Sequence, residues 1–313
     1  MLKIQSSYAQ YLSEAAVLLE KTNVSTESLP EIKYHLSQTE LLIPVIGSFS
    51  SGKSSLLNAL LGRPILPVGI SPETDLATEL RPSSDERVEA VSNDGKITRF
   101  SLEEMHKIKP RADEFSHLKL YVNSDVLRRI SPLVLVDMPG FDSTLANHNK
   151  AISRYIGSGA HYFTLVSVEE GTITKSIQRH LKDINALGQS FSFFVSKANL
   201  KPADELADIV LRIKDQAELL FGNKASALPL GYEDVEQLAV RLREIDPEAL
   251  YEKIHGGTMK DIHFDLTDSV GFYMSGLQKN VGECEDTIQE MQQTLDRIVD
   301  KRDNTLAEVQ SRY

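Results

Sequence analysis

Short, continuous apolar runs alternate with amphipathic stretches between residues 40 and 245. The runs predict buried strands, and the stretches between them predict helices. The predicted strands are 41–46, 133–136, 162–168, 191–195 and 226–230, and the predicted helices are 53–61, 147–155, 174–187, 203–220 and 234–243. Residues 88–100 predict a hairpin that turns at Asp94-Gly95. This alternation predicts an α/β fold with a mainly parallel sheet and helices on both faces.

The first predicted strand contains Pro44, which is unfavourable there because proline cannot donate a hydrogen bond to a central ladder. We retain the strand because it leads directly into a glycine loop at Gly47. Residues 63–72 are rich in proline and glycine and predict an ordered loop.

The two ends of the chain follow helical periodicity. Residues 4–19 predict one helix, and a second begins at Ser28, where Ser28 and Glu31 have capping-box spacing and Pro30 falls in the first turn. We therefore expect N-terminal helices over 1–39, a sheet-containing domain over 40–245 and a C-terminal helical segment over 246–313.

From Ile262 to the end of the chain, apolar residues follow a helical stripe that contains a heptad seam. The seam consists of Leu277, Val281, Cys284, Ile288, Met291, Leu295 and Ile298. Packing within the chain's own bundle is the favoured use of this seam, and an intermolecular coiled coil is the alternative. No glycine cap or proline precedes Tyr313, which predicts a helix that continues into a longer protein.

Composition narrows the class of protein. The 313 residues carry a formal net charge of −11, which argues against nucleic acid as a partner. Cys284 is the single cysteine, so no internal disulfide forms, and we interpret it as a helix thiol without a catalytic role. The sequence shows no signal peptide and no apolar window long enough to predict a transmembrane helix. We expect a cytoplasmic protein, with peripheral membrane contact left open.

The strongest chemical signal is the run GSFSSGKS at 47–54, which matches G-x-x-x-x-G-K-[ST] between a predicted strand and a helix. With this motif, the predicted α/β fold is of the P-loop NTPase type. The glycines let backbone N–H groups turn around phosphates, and Lys53 supplies a positive charge for the β- and γ-phosphates. The Ser54 hydroxyl coordinates Mg²⁺. The predicted nucleotide contacts in this loop are Gly47, Ser48, Phe49, Ser50, Ser51, Gly52, Lys53, Ser54 and Ser55.

Two further segments are predicted to complete the phosphate and metal site. Asp137-Met138-Pro139-Gly140 follows an aliphatic strand, so that Asp137 faces Mg²⁺ and the Gly140 N–H faces the γ-phosphate. Thr74, in the loop after the first helix, is expected to complete the Mg²⁺ shell, and Thr78 competes for that role. We predict Ser54, Thr74 and Asp137 as metal ligands and Ser50, Lys53 and Thr74 as catalytic residues.

A fourth segment, Ser196-Lys197-Ala198-Asn199, matches the position of the [NT]-K-x-D element that reads guanine. The Lys197 stem is expected to pack on the base. Asn199 stands where an aspartate would accept two guanine N–H groups, and an amide offers one acceptor oxygen and two donors. Guanine therefore loses at least one partner, whereas xanthine suits the amide better. A loop near Leu230-Gly231-Tyr232 is expected to close over the base.

Together these segments resemble the dynamin family, in particular bacterial dynamin-like proteins. The resemblance covers about 40–240 and rests on 47–55, on Leu66-Pro67-Val68-Gly69 leading to Thr74, on 137–140 and on 196–199. It implies a large GTPase that uses GTP, GDP and Mg²⁺, pairs with itself through its GTPase domains and remodels membranes. It also implies that 40–245 is a P-loop GTPase domain and that the helical regions 1–39 and 246–313 pack together as a neck or bundle. No part of this chain resembles a membrane-inserting tip.

Two phenylalanines predict slow hydrolysis by a single copy. Phe49 stands where eukaryotic dynamins carry a catalytic glutamine, and Phe141 stands where Ras-like GTPases place the glutamine that orients water. The favoured function is a dynamin-like GTPase with dimerisation-stimulated hydrolysis. The alternatives are a nucleotide-binding scaffold or switch for a protein partner, with little turnover and weakened guanine selectivity, and an Era-like ribosome-associated GTPase, which the acidic charge disfavours.

Overall fold

The computed structural model describes residues 2–20, 22, 24–68, 76–141, 154–222, 227–230 and 235–311, with side chains described up to residue 301. The chain divides into two compact units. One consists of Met1–Ile4 and Gln38–Ile254, and the other of Gln5–Ser37 and His255–Tyr313. Among the described residues, no helix is both long enough and apolar enough to cross a bilayer.

The first unit contains a nine-stranded sheet. Its strands are β1 (Leu41–Gly47), β2 (Thr78–Pro82), β3 (Arg87–Ser92), β4 (Ile97–Phe100), β5 (Phe115–Val122), β6 (Leu133–Asp137), β7 (His161–Ser167), β8 (Ser190–Ser196) and β9 (Ala227–Pro229). Their order across the sheet is β4-β3-β5-β2-β6-β1-β7-β8-β9. Neighbours from β6 to β9 are parallel, as are β2 and β5, whereas β2–β6, β3–β4 and β3–β5 are antiparallel. The predicted mainly parallel sheet is confirmed.

The helices are α1 (Lys3–Leu19), α2 (Leu29–Gln38), α3 (Lys53–Leu61), α4 (Asp125–Ile130), α5 (Lys175–Ala186), α6 (Ala203–Phe221), α7 (Val235–Glu244) and α8 (Pro247–Ser311). Short 3₁₀ turns occupy Glu103–Lys107, Lys109–Glu114 and Ala198–Leu200. Apolar residues of α5 and α6 share a buried cluster with Ile46, Val136 and Val166 on one face of the sheet, and α3 packs against β1 and β6. Alternate strand residues thus face opposite layers.

Pro44 lies inside β1 where one of its ladders is interrupted. Leu42 forms an isolated bridge with Gly159, and regular pairing with β7 resumes only at Val45, opposite Phe163. Pro44 falls in the gap between these two pairs. The strand therefore accommodates a residue that cannot donate a hydrogen bond.

The predicted elements at 41–46, 88–100, 133–136, 162–168, 174–187, 191–195, 203–220 and 234–243 all appear, with ends shifted by one or two residues. Strands β2 and β5 and helix α4 were not predicted. The helix predicted at 147–155 lies mostly outside the described residues, and its last part is helical over 154–158. Helix α8 begins at Pro247, fifteen residues before Ile262, where the predicted helical stripe begins, and its first residues, to Ile254, belong to the unit that contains the sheet.

The second unit combines most of α1, all but the last residue of α2, and α8 from His255 onward. Leu12, Leu29 and Leu36 are buried in it, and the Tyr11 hydroxyl lies 2.8 Å from Nδ1 of His263. The heptad seam of α8 is different, since its side chains from Leu277 to Ile298 are exposed in the part of the chain that the structure describes.

Candidate functional site

The phosphate loop joins β1 to α3, and its backbone shape explains its glycines. Gly52 precedes α3 in a left-handed conformation with φ of 86°. At Gly47 the obstacle is space, because a Cβ atom would lie 2.5 Å from the Leu165 carbonyl oxygen and 2.7 Å from Oγ of Ser51. Ser50 is left-handed as well, with φ of 63°, and is exposed. The loop therefore holds a closed curve that larger residues at Gly47 would open.

Lys53 lies inside this curve, with only 7% of its surface exposed. Its ammonium donates to the carbonyl oxygens of Ser48, at 2.8 Å, and Gly47, at 3.2 Å. These are neutral acceptors, and hydrogen bonds from a cation to an anionic oxygen are stronger. A phosphate group in the loop would thus be a better partner for the ammonium than the loop's own carbonyls.

Asp137 ends β6 beside the first turn of α3. Oδ2 of its carboxylate accepts a hydrogen bond of 2.7 Å from the Ser54 hydroxyl, and Oδ1 is buried without a hydrogen-bond partner among the described residues. Burial raises the pKa of Asp137 to about 6, against the lowering effects of the Ser54 hydroxyl and the Lys53 charge. An unpartnered buried carboxylate oxygen next to a hydroxyl is an oxygen-ligand set that fits Mg²⁺.

The segment after Asp137 lies directly against the phosphate loop. A Cβ atom on Gly140 would lie 2.8 Å from both N and Cα of Phe49, so only glycine fits. The N–H of Phe141 donates to the Gly47 carbonyl at 3.2 Å. The second predicted motif therefore meets the first through backbone contacts.

A cavity of about 270 Å³ lies at the other end of the phosphate loop. It is lined by Gly52, Ser55, Leu56, Ser196, Lys197, Asn199, Leu200 and Leu230. Ser196 ties its two sides together by donating from Oγ to the Ser51 carbonyl at 2.6 Å. Lys197 is left-handed, with φ of 59°, which turns the chain from β8 into the cavity wall. The predicted base-reading segment and the phosphate loop thus enclose one space.

Some of the residues predicted for the nucleotide site are not found beside the phosphate loop or the cavity among the described residues. Thr74, Gly231 and Tyr232 lie outside the described residues. Thr78 is buried in β2, and its hydroxyl has a weak contact of 3.4 Å with the Leu76 carbonyl. Phe141 is buried, with its ring centroid 4.4 Å from that of His180.

Three residues near the site were not predicted as contacts. Ser196 bonds to the phosphate loop, Glu170 accepts a hydrogen bond from the Ser48 hydroxyl, and Glu169 forms an ion pair with Lys197. The available signal was their position, since each follows the end of an apolar strand that leads to the same edge of the sheet. These contacts depend on which strands are neighbours in the sheet, and sequence spacing does not reveal the strand order.

Comparison with known proteins identifies the type of site. Residues 43–198 match the model of the dynamin family. The chain is 30% identical over 251 residues to dynamin-like protein 2 of Campylobacter jejuni, covering 77% of this chain and 37% of the relative. It is 28% identical over 177 residues to the bacterial dynamin-like protein of Nostoc punctiforme, covering 52% of this chain and 25% of the relative.

Two chains of an oligomerised bacterial dynamin pair, described as sensing and tethering membranes, share the fold. One has a TM-score of 0.61 at 16% identity, covering 98% of this chain and 52% of that one. The other has a TM-score of 0.55 at 19% identity, covering 79% and 42%. This chain thus spans about half or less of the length of these relatives.

Proposed function

We propose, from the premise that this chain belongs to the dynamin family, that it binds GTP with Mg²⁺ in the phosphate loop and hydrolyses the γ-phosphate. The observation that carries this proposal is the contact between the Ser54 hydroxyl and the buried Asp137 carboxylate, whose second oxygen has no hydrogen-bond partner in the part of the chain that the structure describes. It lies next to a buried lysine at the turn between a strand and a helix.

In this proposal, different described residues bind the phosphates, the Mg²⁺ ion and the base. Lys53 compensates phosphate charge, and the backbone N–H groups at the start of α3 face the phosphates with the helix dipole behind them. Ser54 and Asp137 would hold Mg²⁺, which neutralises charge on the phosphate oxygens when it is bound. Lys197 and Asn199 would face the base. Thr74 and Ser50 remain our predicted additional catalytic contacts.

We further propose that hydrolysis is slow in a single copy and increases when two GTPase domains pair. Phe141 is buried against His180, so its side chain has no route to a nucleophilic water, and a phenyl ring at Phe49 offers no hydrogen bond. A second copy would supply the missing group. The oligomerised state of the solved bacterial dynamin pair supports self-association and action at membranes as proposals for this chain. The predicted neck of 1–39 and 246–313 belongs to the same proposal.

The second candidate is a nucleotide-binding switch with little turnover, acting on a protein partner. Asn199 favours this candidate, because it lines the base cavity where guanine needs an acceptor for two N–H groups. The two candidates differ in turnover and share the binding site.

Substitution Lys53→Ala tests the site. We expect GTP affinity to fall by about a hundredfold or more, because a buried charge-assisted contact to phosphate is lost. Titration with a fluorescent GTP analogue in Mg²⁺ measures this. Lys107→Ala is the control, since Lys107 is an exposed lysine that forms an ion pair with Glu104. Wild-type affinity in Lys53→Ala would refute the site.

A further inference from the structure

A tight acidic turn follows β7 and consists of Val168, Glu169, Glu170 and Gly171. The backbone N–H groups of Glu170 and Gly171 both donate to the Ser167 carbonyl, at 3.1 and 3.0 Å. The Glu169 N–H donates to Oγ of Ser167 at 3.2 Å. Ser167 therefore accepts three backbone hydrogen bonds that define the shape of the acidic turn. It also contacts both carboxylates at 3.4 Å, through its N–H to Glu170 and its hydroxyl to Glu169.

The acidic turn is joined to both loops that line the nucleotide site. The Val168 N–H donates to the Ser196 carbonyl at 3.1 Å, at the start of the segment that lines the base cavity. On the other side the Ser48 hydroxyl, buried in the phosphate loop, donates to the Glu170 carboxylate. The Ser48 carbonyl in turn accepts from the Lys53 ammonium. The phosphate loop thus helps to set the position of the acidic turn.

Glu169 uses this position to hold Lys197. Its carboxylate accepts a hydrogen bond from the Lys197 ammonium, and this contact keeps the pKa of Glu169 below its usual value. Lys197 is 29% exposed and Glu169 is 57% exposed. An ion pair with this exposure contributes little to stability. Its larger effect is on geometry, since it restricts a side chain with four rotatable bonds whose stem lines the base cavity.

We infer that Glu169 is a positioning residue for the nucleotide base, acting through Lys197, and that the Ser48–Glu170 contact sets its position relative to the phosphate loop. This inference rests on the proposed nucleotide site. A lysine stem that is already ordered against the cavity loses less conformational entropy when a base packs on it. Glu169 then favours nucleotides over ligands that carry phosphates alone.

Because Glu169 is negatively charged, its two possible effects change ligand affinity in opposite directions. A carboxylate near a polyanionic ligand weakens binding by repulsion, so removing its charge alone would tighten the binding of every phosphate ligand. Removing a positioning contact has the opposite effect, and only for ligands with a base. Glu169→Gln should therefore weaken GTP about two- to fivefold, the range of an exposed ion pair. It should leave inorganic tripolyphosphate bound as tightly as before or slightly more tightly.

Calorimetric titration of the full chain with GTP and with tripolyphosphate, both in Mg²⁺, measures the two affinities. Glu205→Gln is the matched control, because Glu205 forms an exposed ion pair with Lys201 at the start of α6. We expect this control to leave both affinities unchanged. The thermal midpoint of each variant establishes that it is folded.

A second background isolates the route through Lys197. Lys197→Met keeps an aliphatic stem and removes the ammonium, so Glu169→Gln in this background should cause no further loss of GTP affinity. An equal loss of GTP and tripolyphosphate affinity in Glu169→Gln would overturn the inference, as would an undiminished loss in the Lys197→Met background or no loss at all. Failure of the wild-type chain to bind GTP would instead refute the proposed function.

Discussion

Asn199 is the residue on which base selection depends. It lines the cavity beside Lys197, and its amide offers one acceptor where guanine presents two N–H donors. Asn199→Asp should therefore tighten GTP about tenfold or more and weaken XTP, because each buried mismatch costs roughly 1–3 kcal/mol. Competition of GTP and XTP against a fluorescent GDP analogue measures both changes.

The control for this experiment is an asparagine that does not line the cavity. Asn123→Asp changes the same chemical group on the loop between β5 and α4, outside the residues that line the cavity. We expect it to leave the ratio of GTP to XTP affinity unchanged. If Asn199→Asp also leaves that ratio unchanged, Asn199 does not contact the base.

Asp137 makes the stability of the nucleotide-free protein depend on pH. Its folded pKa of about 6 lies above the usual value of 3.8, so the folded state binds this proton more tightly than the unfolded state. The stabilising contribution is complete below about pH 4 and is lost as pH rises through 6. At neutral pH the buried charge then costs at most roughly 3 kcal/mol.

Asp137→Asn should therefore raise the free energy of unfolding of the nucleotide-free protein by roughly 1–3 kcal/mol at neutral pH and by much less at pH 4. Urea unfolding at both pH values measures this. The same variant should lose the Mg²⁺-dependent part of GTP affinity. Asp208→Asn, on the exposed side of α6, is the control. A lower stability at neutral pH would contradict the assignment of Asp137 as a desolvated carboxylate.

The sequence predicts the phosphate loop well at this scale, because its chemistry is local. Lys53 and Ser54 are adjacent in the chain, and strand and helix signals flank them. Asp137 was predicted because an acidic residue ends an aliphatic strand. Glu169 and Glu170 were not predicted, since their partners Lys197 and Ser48 are far away in sequence. Long-range pairing follows from strand order, which a single sequence does not specify.

Among the elements, β2 and β5 were not predicted because their buried positions include residues with ionisable side chains. Glu79 in β2 is buried and accepts hydrogen bonds from the Tyr155 hydroxyl, at 2.8 Å, and from the Arg81 guanidinium, at 2.7 Å. In β5, Nε2 of His117 lies 3.6 Å from Oε1 of Glu79. Burial lowers the pKa of His117 to about 4, so His117 is neutral at pH 7. Periodicity treats these residues as polar, and only tertiary packing shows that they are inside.

This cluster joins two elements that border the predicted nucleotide-sensing segments. Strand β2 follows the loop that contains Thr74, and Tyr155 follows the segment that begins at Asp137. Arg81 also donates two hydrogen bonds of 2.5 Å to Glu40, just before β1. Since His117 is neutral, Arg81 is the cation that balances Glu79. Within the described residues, the buried Glu79 carboxylate thus forms its close ion pair with the Arg81 guanidinium.

Arg81→Met should therefore destabilise the protein by about 3–5 kcal/mol, because it removes the ion-pair partner of the buried Glu79 carboxylate. Urea unfolding measures the change. Arg99→Met is the control, since Arg99 also pairs with a buried glutamate, Glu89, but is 73% exposed. We expect it to cost no more than about 1 kcal/mol. If both substitutions lower the free energy of unfolding by a similar amount, the Arg81–Glu79 pair stabilises the protein no more than an exposed ion pair does.

At the scale of the whole molecule, two surfaces offer a route to self-association. One is the nucleotide site, which we propose is completed by a second copy. The other is the exposed seam of α8, where Ile288 and Met291 are more than half exposed. Association through the first surface requires nucleotide, whereas association through the second does not. Sedimentation of the protein with and without a non-hydrolysable GTP analogue distinguishes them.

If pairing of GTPase domains supplies a catalytic group, the GTP turnover per molecule should rise with protein concentration. The rise should be at least about tenfold across the dissociation constant of the pair, because a group supplied in trans to the transferred phosphate has a large effect on rate. Ile288→Glu places a charge in the seam, and the rise should persist in this variant because the two surfaces are independent. A flat specific activity would contradict the pairing mechanism and favour the switch with little turnover. A rise that Ile288→Glu abolishes would show that association through α8, rather than nucleotide-dependent pairing alone, brings the catalytic group into place.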